Sequence, residues 1–233
     1  MSDRRARIVL VLCGFNIAVL QFFLVKELSS LLLATEIALT LVTTAYFAGF
    51  SVGYLVAHRL SPQTLARIAL AAFFLHLALP FLPRTIVGLF YSWDLRAFVP
   101  VVLTAVAVFG GTAFYSIFLP RLVERAAIGA VPFRVYMTFE VLGMLGGLVI
   151  TFLLADAPFA VVYAASAAAL IAILHFTTGP HLWGRATAAV LAPFALMQAL
   201  AFEQLDFAST AYAYRNIYDF SELKTVESAH SLY

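Results

Sequence analysis

The chain has 233 residues, of which 64% are hydrophobic and only 11% are charged, and its formal net charge is +2. A soluble globular protein carries about 25% charged residues, and it cannot bury so much apolar surface because much of its exterior must face water. The composition excludes an ordinary soluble protein and predicts an all-α protein whose exterior faces the lipid bilayer. The small net charge gives no indication of a nucleic-acid partner.

Seven apolar stretches approach the ~20 residues that a helix needs to cross about 30 Å of hydrocarbon. In chain order they cover residues 8–28, 36–57, 64–82, 97–119, 134–155, 157–176 and 185–202. A spanning segment must satisfy its own backbone hydrogen bonds in lipid, which requires helices here because the sequence lacks the alternation of a barrel strand. The sequence therefore predicts a polytopic bundle of about seven transmembrane helices within residues 1–202.

Two segments between these stretches are amphipathic or too apolar for ordinary loops. Residues 27–36 are predicted to lie along the membrane interface. Residues 85–98 contain Phe90, Tyr91 and Trp93, and they are predicted to form an interfacial turn with aromatic anchors. The polar, aromatic-rich tail, residues 203–233, cannot form a core of its own. It is expected to lie on the bundle, to dock on a partner or to lead into a further domain.

The distribution of Lys and Arg predicts the orientation. With a cytoplasmic N-terminus, nine of the fourteen basic residues lie on the inner side, namely Arg4, Arg5, Arg7, Arg59, Arg67, Arg121, Arg125, Arg134 and Arg185. Seven crossings then place the tail on the extracytoplasmic side.

Glu140 is the main candidate for a functional residue, because an ionisable group inside a membrane span is costly unless it is paired or hydrated. Helical spacing puts Tyr136, Glu140, Gly143 and Gly147 on one face, where the glycines allow close approach of another helix. Glu140 is either a proton or substrate site, or a structural carboxylate bonded to a neighbouring helix or arginine. The structural interpretation is favoured.

Further polar and small residues have simpler interpretations. Gly49 and Gly53 form a second Gly-x-x-x-Gly pair, which is a helix-packing signal. Glu27 follows Lys26 where the first helix leaves the membrane, and it can reach water. Glu36 is interpreted as an acidic residue in the first turn of the second helix.

The sequence predicts no catalytic group, metal site or cofactor. Cys13 is the single cysteine, and it is expected to be a buried packing residue. The histidines His58, His76, His175 and His181 lack metal-ligand spacing, and His76 has no evident partner at its depth. A haem-binding bundle stays an alternative, because axial histidines can come from separate helices.

Three motifs together resemble the membrane domain of the multi-pass spermidine-synthase-like proteins of bacteria. The first runs from Gln21 through Lys26-Glu27-Leu28 to Glu36 and Gly49-x-x-x-Gly53. The second is Tyr136 through Gly147, with the pattern Glu-x-x-Gly-x-x-Gly-Gly. The third is Thr225 through Tyr233, which looks like the lead-in to a transferase domain. The resemblance implies an inner-membrane bundle that precedes an aminopropyltransferase domain, and none of that domain's substrate-binding residues can be carried over.

We therefore expect a non-catalytic membrane anchor or assembly subunit, whose partners are other membrane or extracytoplasmic proteins. One alternative is a small-molecule transporter or binding bundle, with Glu140, Asn16, Gln21 and Gln198 along a midplane cavity. Another is a fragment of a membrane-bound aminopropyltransferase.

Overall fold

The computed structural model describes residues 3–32, 35–78, 81–92, 98–121, 133–153, 159–178 and 182–217. The regular secondary structure in these ranges is entirely helical, which confirms the all-α part of the predicted fold. The helices are α1 (Asp3–Leu32), α2 (Thr35–Val56), α3 (Pro62–Ala78), α4 (Leu82–Ser92), α5 (Phe98–Ser116), α6 (Phe133–Leu153), α7 (Phe159–Thr178), α8 (Leu182–Leu200) and α9 (Phe202–Ile217).

Four helical segments are long and apolar enough to cross a membrane. They are Asp3–Lys26, Leu39–Arg59, Val102–Arg121 and Arg134–Leu153. Two further apolar helical stretches, Val161–Phe176 and Leu191–Leu200, are shorter. The number of seven crossings stays a prediction.

The connection between α1 and α2 differs from the prediction. Helix α1 continues to Leu32, so most of the segment expected to lie along the interface belongs to this helix. Residues 27–34 contain neither glycine nor proline, so nothing in their sequence ends the helix earlier. Helix α2 begins at Thr35, and Glu36 stands in its first turn, where the helix dipole favours a negative charge.

The two segments predicted to lie outside the bundle core also form helices. Residues 85–92 of the expected interfacial turn belong to α4, while residues 93–97 lie outside the described ranges. Residues 203–217 of the expected tail belong to α9, which packs against α4. Because this helix buries Phe202 and Ala213, the bundle supplies the core that this segment cannot build alone. Residues 218–233 lie outside the described ranges.

Helix α1 is the centre of the bundle. In an apolar 18-residue window of Asp3–Lys26, 56% of the residues are buried, which is similar to the 61% of Val102–Arg121 in α5 and well above the 17% of Leu39–Arg59 and the 28% of Arg134–Leu153. It packs most closely on α6 and also contacts α7, α2 and α5. Helices α2 and α6 are therefore peripheral, and each leaves a broad apolar face uncovered by this chain.

Glycine contacts define the relative directions of the helices. Val11 of α1 lies against Gly143 of α6, and Phe15, four residues later, lies against Gly147. Both positions increase together along the chain, so α1 and α6 run parallel. In the same way, Gly49 and Gly53 of α2 meet Phe109 and Ala113 of α5, and these two helices are also parallel.

Candidate functional site

A closed ring of four polar side chains joins four helices in the interior. Nδ2 of Asn16 (α1) donates to the hydroxyl of Tyr115 (α5) at 3.2 Å, and this hydroxyl lies 3.2 Å from Nδ1 of His76 (α3). Nε2 of His76 lies 2.7 Å from Oγ of Ser166 (α7), which donates to Oδ1 of Asn16 at 2.9 Å. All four residues are buried, and His76, at 6%, is the most exposed of them.

The amide of Asn16 determines the direction of every bond in the ring. Because the Ser166 hydroxyl donates to Asn16, its oxygen is the acceptor for a proton on Nε2 of His76. Nδ1 of His76 then accepts from the Tyr115 hydroxyl, whose oxygen accepts from Asn16. Each group donates once and accepts once. A neutral imidazole satisfies this arrangement, and a doubly protonated one does not.

This ring corrects the interpretation of His76. The sequence suggested no partner for this histidine, whereas both of its ring nitrogens are engaged. An axial haem ligand needs a free imidazole nitrogen. Because both nitrogens of His76 form hydrogen bonds within the ring of four residues, His76 is unsuited to that role. One feature of the sequence does point to the ring. Three of the apolar stretches contain a polar residue, namely Asn16, Tyr115 and Ser166, and a polar residue inside a membrane span is expected to have a hydrogen-bond partner.

Two more hydrogen bonds extend the polar contacts toward the end of α3. The hydroxyl of Tyr163 (α7) donates to the carbonyl oxygen of Leu77 at 3.0 Å, and Nε2 of Gln198 (α8) donates to the same oxygen at 2.9 Å. The rings of Phe81, Tyr163 and Phe202 cluster beside these bonds, with centroids 5.2–6.4 Å apart. The end of α3, the beginning of α7 and the end of α8 therefore lie at one level.

Glu140 lies where α1, α2 and α6 meet. Its side chain is 2% exposed, and Oε2 accepts a hydrogen bond from the Tyr54 hydroxyl of α2 at 3.3 Å. Oε1 is buried and has no hydrogen-bond partner among the described residues. One turn further along α6, Met144 accepts a weak hydrogen bond from the hydroxyl of Tyr46, with an O···S distance of 3.9 Å.

The predicted glycine faces lie at backbone-to-backbone contacts. A Cβ at Gly143 would collide with the carbonyl oxygen of Val11, and one at Gly147 would stand 2.7 Å from the carbonyl oxygen of Phe15. A Cβ at Gly49 would collide with the carbonyl oxygen of Phe109 on α5. The Gly-x-x-x-Gly pairs thus allow the α1–α6 and α2–α5 contacts.

Two more glycines make close contacts of the same kind. A Cβ at Gly53 would collide with Ser116 Oγ and with the carbonyl oxygen of Ala113. Gly14 has the same role on α1, facing the carbonyl oxygen of Glu140, and the sequence analysis missed it. The sequence pattern that indicates this contact is the pair Gly14 and Ala18, two small residues four positions apart on α1.

The remaining candidates are dispersed. Gln21 is half-buried on α1, and Glu36 is exposed at the start of α2. Glu27 lies in α1, but its side chain is outside the described part of the structure. Asn16 bonds to α5 and α7, whereas Glu140 bonds to α2, so the hydrogen bonds do not unite these residues in one site.

A buried ion pair that was not among the sequence-based predictions joins α4 to α9. Nη1 of Arg84 lies 2.5 Å from Oδ1 of Asp206 and 2.6 Å from Oγ1 of Thr210. Both charged residues are buried. Gly88 of α4 lies against the ring of Tyr212, which brings the two helices close together. The ion pair therefore stabilises the contact between α9 and α4.

Comparisons with family models, with curated proteins and with solved structures found no match for this chain. Of the segments that resemble the spermidine-synthase-like membrane domain, residues 20–28 lie in α1 and residues 136–147 lie in α6, while residues 225–233 are outside the described ranges.

Proposed function

We propose that the chain is a multi-pass domain of a bacterial inner membrane that crosses the bilayer seven times and serves as a non-catalytic anchor or assembly subunit. The observation that supports this role best is the ring of Asn16, His76, Tyr115 and Ser166. Its members use their hydrogen-bonding groups on one another. A ring of this kind stabilises one arrangement of four helices, and it engages both ring nitrogens of His76 and the hydroxyl protons of Tyr115 and Ser166, so these groups are not available to a substrate.

The exposed surface of the peripheral helices supports a lipid environment. Large apolar side chains of α6 are exposed along its length, including Leu142 at 52%, Leu145 at 53% and Phe152 at 68%. On α2, Phe47 and Leu55 are more than 60% exposed. Soluble monomers rarely expose apolar patches of this extent, so lipid or a membrane partner covers them in this proposal.

Contacts between helix ends support the number of crossings. Arg84 of α4 pairs with Asp206 of α9, so these helices lie at the same end of the bundle. Two segments on one side of a membrane are separated by an even number of crossings, and four helices, α5 to α8, lie between them. The hydroxyl of Tyr136 donates to Asp3 at 2.8 Å, which places the beginnings of α1 and α6 at one end in the same way.

This arrangement also fits the proposed orientation. The end that holds Asp3 and the beginning of α6 carries Arg4, Arg5, Arg7 and Arg134, which belong in the cytoplasm by the positive-inside rule. The end that holds α4 and α9 is then extracytoplasmic. The C-terminal segment that follows α9 would contact its partner on that side.

Single cysteines test the topology in a Cys13→Ser background. Glu203 of α9 and His58, beyond the end of α2, are both exposed, and they lie at opposite ends of the bundle. A membrane-impermeant maleimide added to spheroplasts should label Glu203→Cys at once and His58→Cys only after the membrane is opened. Labelling of His58→Cys in sealed spheroplasts would contradict the orientation.

Light scattering in mild detergent tests the assembly role. The chain alone has a mass of 25.4 kDa, and we expect the protein mass of the purified particle, after subtraction of the detergent, to exceed this value. A homogeneous particle of 25.4 kDa would count against an assembly subunit.

A second function, a small-molecule transporter or binding bundle, is favoured by one observation, the unpaired Oε1 of Glu140. Native mass spectrometry distinguishes it from an anchor. The transporter predicts an added small-molecule mass that disappears in Glu140→Gln, whereas equal masses in both proteins would count against it.

A further inference from the structure

Glu140 has an unusual environment for a carboxyl group. The residue is 2% exposed, one carboxyl oxygen accepts a single hydrogen bond from Tyr54, and the other accepts none from the part of the chain that the structure describes. Glu140 follows Phe133, the first residue of α6, by seven positions, which is about 10 Å along the helix axis. The carboxyl group is thus inside the bundle but near the end where α1 and α6 begin.

The described groups around Glu140 do not include a positive partner. Cys13 of α1 and Tyr46 and Tyr54 of α2 are the titratable groups that interact with it, and none is a cation. Arg7, the nearest basic residue along α1, lies with its guanidinium 5.2 Å from the ring centroid of Phe139. The same guanidinium forms an ion pair with Asp3 at 2.5 Å, so Arg7 pairs with the carboxylate of Asp3 and not with that of Glu140.

An ionised carboxylate in this position would be buried without a counter-charge, which costs several kcal/mol. A neutral carboxylic acid avoids this cost, because the protonated oxygen carries no charge and the other oxygen still accepts from Tyr54. We propose that Glu140 is a proton-binding site, which holds a proton at neutral pH in the folded bundle. Binding adds one proton to the carboxylate and changes its charge from −1 to zero.

The aromatic residues of α2 favour a proton over an organic cation. The rings of Tyr46, Phe50 and Tyr54 follow one another along the helix, with centroids 6.1 and 4.8 Å apart. Because they lie in a row on one helix, they do not surround a space as the aromatic cage that recognises an ammonium group does. On the opposite side, the close contact of Gly14 with the backbone of Glu140 leaves no room for a ligand. This inference stands on contacts among α1, α2 and α6, and it does not depend on the assembly role.

Infrared spectroscopy of the purified full chain tests the proposal directly. At neutral pH we expect a carbonyl stretching band of a protonated carboxylic acid, which shifts on exchange into heavy water. Glu140→Gln should abolish this band, while Glu36→Gln, which changes an exposed carboxylate at the start of α2, should leave it intact. Tyr54→Phe should keep the band but move it to higher frequency, because the carbonyl loses its hydrogen bond.

Two spectroscopic outcomes would overturn the proposal. One is a wild-type spectrum at neutral pH without the band, or with a band that persists in Glu140→Gln. The other is a carboxylate band that changes on addition of sodium ions and is lost in Glu140→Gln, which would assign a metal cation in place of the proton. Glu140→Gln is nearly isosteric with the neutral acid, so its thermal unfolding temperature should stay close to that of the wild type. A large decrease would likewise contradict a neutral Glu140.

Discussion

The carbonyl oxygen of Val11 lies where the side chain of any residue other than glycine at position 143 would begin. The contact is between two backbones, so neither partner can move aside by changing a rotamer. A methyl group at this position must push α1 and α6 apart over several turns. Gly14 and Gly147 make related contacts on the same interface, so the separation would affect all of them.

Gly143→Ala should therefore be strongly destabilising. Inserting a methyl group into a packed interface costs about 1–3 kcal/mol, and more where backbone has to shift. Gly146 is the matched control, since nothing lies within 4 Å of a Cβ there. Thermal unfolding in detergent should show a lower midpoint for Gly143→Ala and no decrease for Gly146→Ala. Equal behaviour of the two variants would disprove the close contact between α1 and α6.

The parallel pair α2–α5 gives a second test of the same kind. Gly49→Ala would place its Cβ against the carbonyl oxygen of Phe109, whereas a Cβ at Gly110 meets nothing within 4 Å. We expect Gly49→Ala to lower the unfolding midpoint and Gly110→Ala to leave it unchanged. A destabilised Gly110→Ala together with a stable Gly49→Ala would show that α2 and α5 pack through other faces.

The ring predicts strongly coupled effects. Asn16→Ala strands the Tyr115 oxygen and the Ser166 hydroxyl, each at a cost of about 1–3 kcal/mol as a buried unsatisfied group. Once Asn16 is replaced, Ser166→Ala should cost less than it does alone, since the ring is already open. The coupling energy from a double-mutant cycle should be about 0.6–1.7 kcal/mol, as for other hydrogen bonds within membrane bundles.

The control for the ring is Ser51→Ala. This serine is exposed and donates to the carbonyl oxygen of Phe47 on its own helix, so its removal should change stability little and show no coupling to Asn16. Strict additivity between Asn16→Ala and Ser166→Ala would indicate that the two side chains do not bond in the folded protein.

The ion pair between α4 and α9 predicts destabilisation that a second substitution relieves. Arg84→Met removes one partner of a buried ion pair, which typically costs about 3–5 kcal/mol. Adding Asp206→Leu removes the stranded charge and should recover most of the loss. Limited proteolysis should cleave α9 faster in Arg84→Met than in the wild type or in the double variant.

The exposed pair Arg7–Asp3 offers a contrast to this buried one. Its side chains are 37% and 44% exposed, and it joins residues four positions apart on one helix. Such exposed pairs contribute little to stability, because water and salt screen the charges. Arg7→Met should therefore have a much smaller effect than Arg84→Met. Similar losses from both substitutions would show that α9 is not held by a buried charge.

The sequence predicted the helices more readily than their contacts, and the reason is physical. The length and hydropathy of an apolar run depend only on residues that follow one another in the chain. The regions of α1 and α2 are therefore evident from the local composition alone. The ring depends on pairs such as Asn16 and Ser166, which are 150 residues apart, and hydrophobic periodicity carries no information about such distances. Glycine spacing indicated which helix faces pack closely, but it could not indicate that Gly143 meets Val11.

The polar segments show the same limit. Composition placed residues 203–217 outside the apolar core, because Glu203 and Asp206 interrupt the hydrophobic pattern. It could not show that Arg84, more than a hundred residues earlier, neutralises Asp206 and lets α9 bury one side.

The distance along the chain between Asn16 and Ser166 also has a consequence for biosynthesis. Ribosomes add about 5–20 residues per second, so α1 waits roughly 8–30 s for the residue that closes its ring. During that interval the amide of Asn16 has no serine partner, and the surface of α1 around Gly14 is not yet covered by α6. Newly made α1 must therefore be shielded by lipid or by the insertion machinery, and nascent chains that stall before α7 should be recognised as incomplete by membrane proteases.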